Sequence, residues 1–128
     1  MAMRTPLKNV RRLGSAKDGT EHFWRQRLTS VALLLLLPFV IWIALKTGGA
    51  DYETAVATLG NPIVSILLAL FILAGVVHMR LGMQVIIEDY VHTEGTKIAL
   101  LMLNTFFAAI IGLASIYAVL KLSFGVAF

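Results

Sequence analysis

Three stretches of the chain lose their charge, and short polar intervals separate them. The first, Leu28 to Leu45, includes five consecutive leucines, Leu33 to Leu37, ahead of Pro38. About 18 helical residues at 1.5 Å each give roughly 27 Å, enough for the hydrocarbon core of a bilayer. The second opens at Asn61-Pro62, runs apolar from Ile63 to Met79 with His78 as its one polar ring, and keeps a helical pattern through Ile87. The third, Ile98 to Leu120, is uncharged and ends at Lys121. Runs that are apolar on every side of a helix are membrane spans rather than amphipathic surface helices. The pattern therefore predicts an all-α membrane protein with three transmembrane helices, at about 28–46, 62–90 and 97–121.

The breakers between the runs agree with these bounds. Lys46 and Gly48-Gly49 close the first span, and Thr47 to Gly60 reads as a short, mildly acidic loop carrying Asp51 and Glu53. Asn61 is placed to cap the second helix with Pro62 at its first position, where the missing N–H costs nothing. Pro38 falls inside the first span, where neighbouring groups can re-satisfy the freed carbonyl. Residues 1–27 are polar and basic and form one unit, with residues 28–128 as the three-helix anchor. The apolar run that follows is too long for a signal peptide and has no small-residue cleavage site after it. The first unit is expected to be a retained cytoplasmic arm, with a short interfacial helix near Glu21 to Arg27.

Composition sharpens the picture. Of 128 residues, 59% are hydrophobic and 14% charged, whereas a soluble domain is nearer one half and one quarter. Cysteine is absent, which excludes disulfides, iron–sulfur ligation and covalent haem attachment by this chain. Seven of the eleven lysines and arginines precede the first span: Arg4, Lys8, Arg11, Arg12, Lys17, Arg25 and Arg27. That asymmetry orients a membrane protein and does not resemble a nucleic-acid surface. It predicts a cytoplasmic N-terminus, the first loop outside, the second inside, and a periplasmic C-terminus.

The second helix carries the candidate chemistry. An ionisable ring within a span is a functional candidate, although a lone histidine is more often a core residue bonded to a neighbouring carbonyl. Gly75 and Gly82 lie near the face of His78. Ala74 and Gly75 leave open the space where the imidazole projects, the kind of gap a flat macrocycle needs, or Gly75 and Gly82 let another helix approach closely. Asp89 lies eleven residues after His78, on the same face and roughly 16 Å further along. Tyr90 is adjacent, and Glu88, His92 and Glu94 surround the pair. A phenol beside a carboxylate at the membrane boundary suits a redox quinone, the phenol bonding a carbonyl and the carboxylate relaying protons. Taken singly, Tyr90 reads first as an interfacial belt residue and Asp89 as a solvated loop acid. Arg27 reads as an interfacial snorkel or as a partner for an anion such as a haem propionate. Arg80 points about 200° from His78.

His78, Gly82, Asp89 and Tyr90, with the opening Gly19, His22, Phe23, Arg27 and Thr29, resemble the hydrophobic membrane-anchor family of succinate:quinone oxidoreductase, respiratory complex II. The Arg-Thr-Pro-Leu and Leu-Gly-Ser-Ala-Lys lead-in looks like alphaproteobacterial members. The resemblance implies that His78 is one axial ligand of a haem b shared with a companion cytochrome b subunit. It implies that Tyr90 bonds ubiquinone with Asp89 in the proton path, and that Arg27 lies near a haem propionate. It also implies a bacterial inner-membrane complex in which flavoprotein and iron–sulfur subunits oxidise succinate and this chain does not. The companion cytochrome b subunit itself is less similar, because its His-x-x-x-Gly-x-Arg-His arrangement is not matched here. A cofactor-free membrane scaffold or transporter component is the alternative.

Overall fold

The computed structural model describes residues 15–125, with side chains from residue 19 onward. The early basic residues Arg4, Lys8, Arg11 and Arg12 and the side chain of Lys17 lie outside the described residues. Four helices follow one another: α1 (Ser15–Thr47), α2 (Tyr52–Leu59), α3 (Pro62–Tyr90) and α4 (Glu94–Phe124), with no strand among the described residues. Three of them, over Gly19–Thr47, Pro62–Tyr90 and Glu94–Phe124, are long and apolar enough to cross a membrane.

The expected short helix at Glu21–Arg27 is not a separate element, because α1 runs unbroken from Ser15 through the span. No proline lies between residues 15 and 37, and the Glu21–Arg25 ion pair joins positions four apart in the favourable order. Pro38 is accommodated inside the same helix. The interval expected to be a loop also contains an extra element, the eight-residue α2. Its composition, with Glu53 in the first turn and Ala55, Ala57 and Leu59 behind it, is helix-forming. The segment is too short to show a helical period in sequence. Its Thr58 is buried and bonds Thr54 O at 2.8 Å, and α2 packs on α1, α3 and α4 at one end of the bundle.

The start of α3 is as expected. Asn61 Oδ1 accepts from Ile63 N at 2.9 Å, and Pro62 stands at the first helical position. At the far end Gly125 adopts φ 64°, the left-handed cap that stops α4. The Asp89–Tyr90 pair closes α3, and residues 91–93 turn the chain into α4.

The second span is central, since α1 and α4 both pack chiefly on α3. Ala108 and Gly112, four residues apart on α4, are buried, and a Cβ on Gly112 would lie 3.4 Å from Val76 Cγ1. Small residues at this spacing let two membrane helices approach. Little else is enclosed: Ile43, Val64, Leu81, Ile87 and Val119 complete the apolar core, while most large side chains of all three spans face outward. Such a surface belongs in lipid or against other membrane chains, not in water.

Gly60 joins α2 to α3 where the C-terminal end of α4 comes closest. Its φ of −81° suits any residue, but an added Cβ would sit 2.8 Å from Leu122 O and 2.9 Å from Val56 O. Both obstacles are backbone. Gly60→Ala is therefore expected to destabilise the protein by roughly 1–3 kcal/mol. Gly95→Ala, where a Cβ meets nothing within 4 Å, is expected to be neutral or slightly stabilising. Thermal unfolding of the two variants in one detergent or lipid mixture checks the contrast.

Candidate functional site

The α1–α3 contact is antiparallel and built around glycines. A Cβ on Gly75 would lie 3.7 Å from Leu33 Cδ2, and one on Gly82 would lie 3.7 Å from Gln26 Nε2. As the chain rises from residue 26 to 33 on α1, its neighbours on α3 descend from 82 to 75. The contacts with Leu33 and Gln26 fit the helix-packing reading of these glycines. Leu33 borders the gap beside Gly75 that the other reading left for a macrocycle.

His78 lies between the two glycines and faces the same helix. The ring is half-buried, with Nδ1 3.2 Å from Thr29 Oγ1 and 3.4 Å from Ser30 Oγ. Both hydroxyls also bond their own helix. Thr29 Oγ1 donates toward Arg25 O at 2.8 Å and Gln26 O at 3.1 Å, and Ser30 Oγ donates to Gln26 O at 2.7 Å. His78 Nε2 makes no hydrogen bond among the described residues. The enclosed polar side-chain atoms without a partner there are His22 Nε2 and Gln26 Oε1, so His78 Nε2 keeps an open edge. An imidazole held through one nitrogen with the other exposed is chemically fitted to ligate a metal or exchange a proton. No group of three or more His, Asp or Glu side chains among the described residues could hold a metal ion by itself. A metal at His78 would need its other protein ligand from elsewhere.

Among the described residues, no hydrogen bond or ion pair links the remaining sequence candidates to the ring of this histidine, and two of them lie well along α3 from it. Arg27 is exposed, its guanidinium 5.2 Å from the Phe23 ring centroid. Phe23 meets Trp24 edge-on, with centroids 6.4 Å apart. Asp89 and Tyr90 occupy the last turn of α3 and are exposed, roughly 16 to 18 Å along the helix from His78. Tyr90 lines one end of an apolar groove of about 420 Å³ between α3 and α4, whose walls include Met83, Ile87, Leu103 and Phe107 and whose inner end reaches Asn104. Glu88 accepts from Gln84 Nε2 at 3.0 Å. A larger groove of about 590 Å³ between Pro38, Trp42, Asn61 and Leu67 lies at the opposite end of the bundle and holds none of the candidate residues.

Arg80 turns away from His78 as its helical offset predicts. Its Nε donates to Thr105 Oγ1 at 3.3 Å, and Asn104 Nδ2 donates to Arg80 O at 3.0 Å. The α3 helix thus carries two polar junctions at one depth, His78 toward α1 and Arg80 toward α4. Ser30, Asn104 and Thr105 escaped the sequence reading. Hydroxyl and amide residues inside apolar runs are too common to single out without the helix register.

That register is testable because the chain has no native cysteine. With Leu33→Cys and Gly75→Cys together, a short bis-maleimide is expected to link α1 to α3 within one chain. The offset pair Leu33→Cys with Gly82→Cys is expected to stay unlinked. Mass spectrometry of the products decides between the two.

Comparison with known proteins bears on the same region. Residues 1–113 match the family model described as succinate dehydrogenase/fumarate reductase transmembrane subunit. A succinate dehydrogenase hydrophobic membrane anchor subunit of Paracoccus denitrificans is 32% identical over 121 residues, covering 94% of this chain and 93% of that protein. The protein of the same name from Rickettsia bellii is 30% identical over 116 residues, covering 91% and 93%. A succinate dehydrogenase membrane anchor subunit of Reclinomonas americana is 32% identical over 90 residues, covering 68% and 75%. No solved structure matches.

Proposed function

The chain belongs to the succinate dehydrogenase/fumarate reductase transmembrane subunit family, and from that premise we propose that it supplies one axial histidine to a haem b and part of a quinone site in a succinate dehydrogenase. The family and the three spans make it a multi-pass membrane protein of the anchor type. The finer assignment rests above all on His78, a half-buried imidazole inside a span with one nitrogen bonded and the other open. A single ligand with no companion among the described residues suits a haem held between two subunits, the second ligand coming from a cytochrome b anchor subunit.

When bound, the haem would supply one-electron storage inside the membrane. The chain's own residues do the rest. Thr29 and Ser30 hold the His78 ring. Tyr90, at the mouth of its apolar groove, offers a phenol to a quinone carbonyl while the groove walls exclude water. Asp89, exposed beside it, passes protons from the aqueous side. Arg27, on the exposed face of α1, offers a guanidinium to a haem propionate across the subunit boundary. The basic arm fixes the N-terminus on the cytoplasmic side of a bacterial inner membrane, where flavoprotein and iron–sulfur subunits would dock and oxidise succinate.

A reduced-minus-oxidised visible spectrum of the complex purified through a tag on this chain is expected to show a low-spin b-type band that His78→Ala abolishes. An unchanged band in that variant would remove the ligand assignment. Tyr90→Phe is expected to lower succinate–ubiquinone reductase activity by roughly 10²-fold. Electron delivery to a water-soluble acceptor that draws from the extrinsic subunits should be unaffected. Equal loss in both assays would make Tyr90 a structural residue.

A further inference from the structure

The proposed ligand role leaves open which ring nitrogen of His78 carries the proton, and the hydroxyls of α1 bear on that question. Thr29 and Ser30 have one proton each. Thr29 directs its proton to Arg25 O at 2.8 Å and Gln26 O at 3.1 Å, and Ser30 directs its own to Gln26 O at 2.7 Å. With those protons committed, each hydroxyl presents a lone pair to Nδ1, at 3.2 and 3.4 Å. Two acceptors facing one ring nitrogen require the hydrogen to be on that nitrogen. The opposite arrangement needs a hydroxyl to swing away from its carbonyl and donate to Nδ1. It would move the ring proton to Nε2 and block the lone pair there.

We infer that Thr29 and Ser30 are positioning residues that hold His78 as its Nδ1–H tautomer, aim its Nε2 out of the α1–α3 contact, and set the basicity of that nitrogen toward a metal. The inference rests on the proposed ligand role of His78 and goes beyond it by naming what orients and tunes the ligand. Metal-bound histidines commonly donate their second N–H to a carboxylate, carbonyl or water, which raises ligand basicity. Here the acceptors are two neutral hydroxyls already engaged with backbone. They give the ring a fixed direction with modest basicity. Removing them leaves Nδ1–H without an acceptor, makes Nε2 a weaker donor, disfavours the ferric state and raises the midpoint potential. A carboxylate in their place would act in the opposite sense.

The test compares potentiometric titrations and low-temperature EPR of the purified complex carrying Thr29→Val with Ser30→Ala, Thr29→Val alone, Thr29→Ser, and His78→Ala. The double variant is expected to shift the oxidised-to-reduced ratio about tenfold at fixed ambient potential, an upward move of about 59 mV for this one-electron couple. Its low-spin g-values should move as well. Thr29→Val alone removes the shorter contact without changing side-chain size. It is expected to move the potential in the same direction by less, and it carries the decision if the double variant does not assemble. Thr29→Ser keeps the acceptor and is expected to match wild type. If His78→Ala abolishes the haem signal while the valine variants keep the wild-type potential and g-values, the positioning role is overturned and the ligand role stands. If His78→Ala leaves the haem signal intact, the ligand role falls and the inference falls with it.

Discussion

Close contact between α1 and α3 is the constraint on which the rest of the arrangement depends. Gly75 and Gly82 lie at it, where an added Cβ would come to 3.7 Å, ordinary contact distance, from Leu33 and from Gln26. Between them the helices are near enough for Thr29 and Ser30 to reach across to His78. A hydrogen bond between membrane helices contributes only about 0.6 kcal/mol on average, so these contacts do not hold the helices together. Packing brings the helices together, and the hydroxyls then determine how the imidazole sits. The order matters, because a ring oriented by a weak bond is well fixed only when the backbone spacing around it is already set.

The α4 contact on the other side of α3 follows the same logic with different residues. Ala108 and Gly112 provide the close approach, and the Arg80–Thr105 and Asn104–Arg80 bonds provide the polar junction. With α3 between its two neighbours, the bundle encloses few side chains, and large apolar residues cover its outside. A three-helix unit of this kind has a surface designed for lipid and for other membrane subunits. An open Nε2 on a half-buried histidine fits such an incomplete body, since the coordination of a shared haem would be completed only on assembly.

The spans were legible in the sequence because exclusion of charge over about 20 residues is a coarse requirement that the bilayer imposes on every position at once. The start of α3 was legible for a local reason: Asn61 and Pro62 satisfy and sterically define a helix end without help from elsewhere. The element α2 was not, because eight residues carry no detectable period and Thr58 is stabilised by contact with the bundle. Continuity of α1 from Ser15 into the span was missed because a change from polar to apolar composition need not be a change of conformation. The site divides in the same way. His78 announced itself as an ionisable ring within an apolar run, whereas Ser30 did not, because its significance is a matter of which turn of α1 lies opposite which turn of α3. Gly75 shows the limit from the other direction: helical spacing put it near the histidine, but only the neighbouring helix shows that Leu33 borders the gap.

The antiparallel register also relates the charges to depth. If Gln26 lies beside Gly82 and Leu33 beside Gly75, then Leu28, the first residue of the uncharged run of α1, is level with about Arg80. Arg25, Arg27 and Arg80 then fall within one narrow zone, and His78 stands just inside it with the hydrocarbon beyond. The last turns of α3, with Asp89 and Tyr90, extend past that zone by roughly 10 Å. A quinone head at Tyr90 would therefore sit on the aqueous side of the arginines while its apolar remainder lay toward the membrane. The groove from Tyr90 inward to Asn104 and Phe107 runs across that boundary. Separation along one rigid helix would keep the proposed proton delivery at Asp89 and Tyr90 away from the imidazole. That separation would allow His78 to hold a fixed tautomer beside two hydroxyls while protons moved only a few turns away.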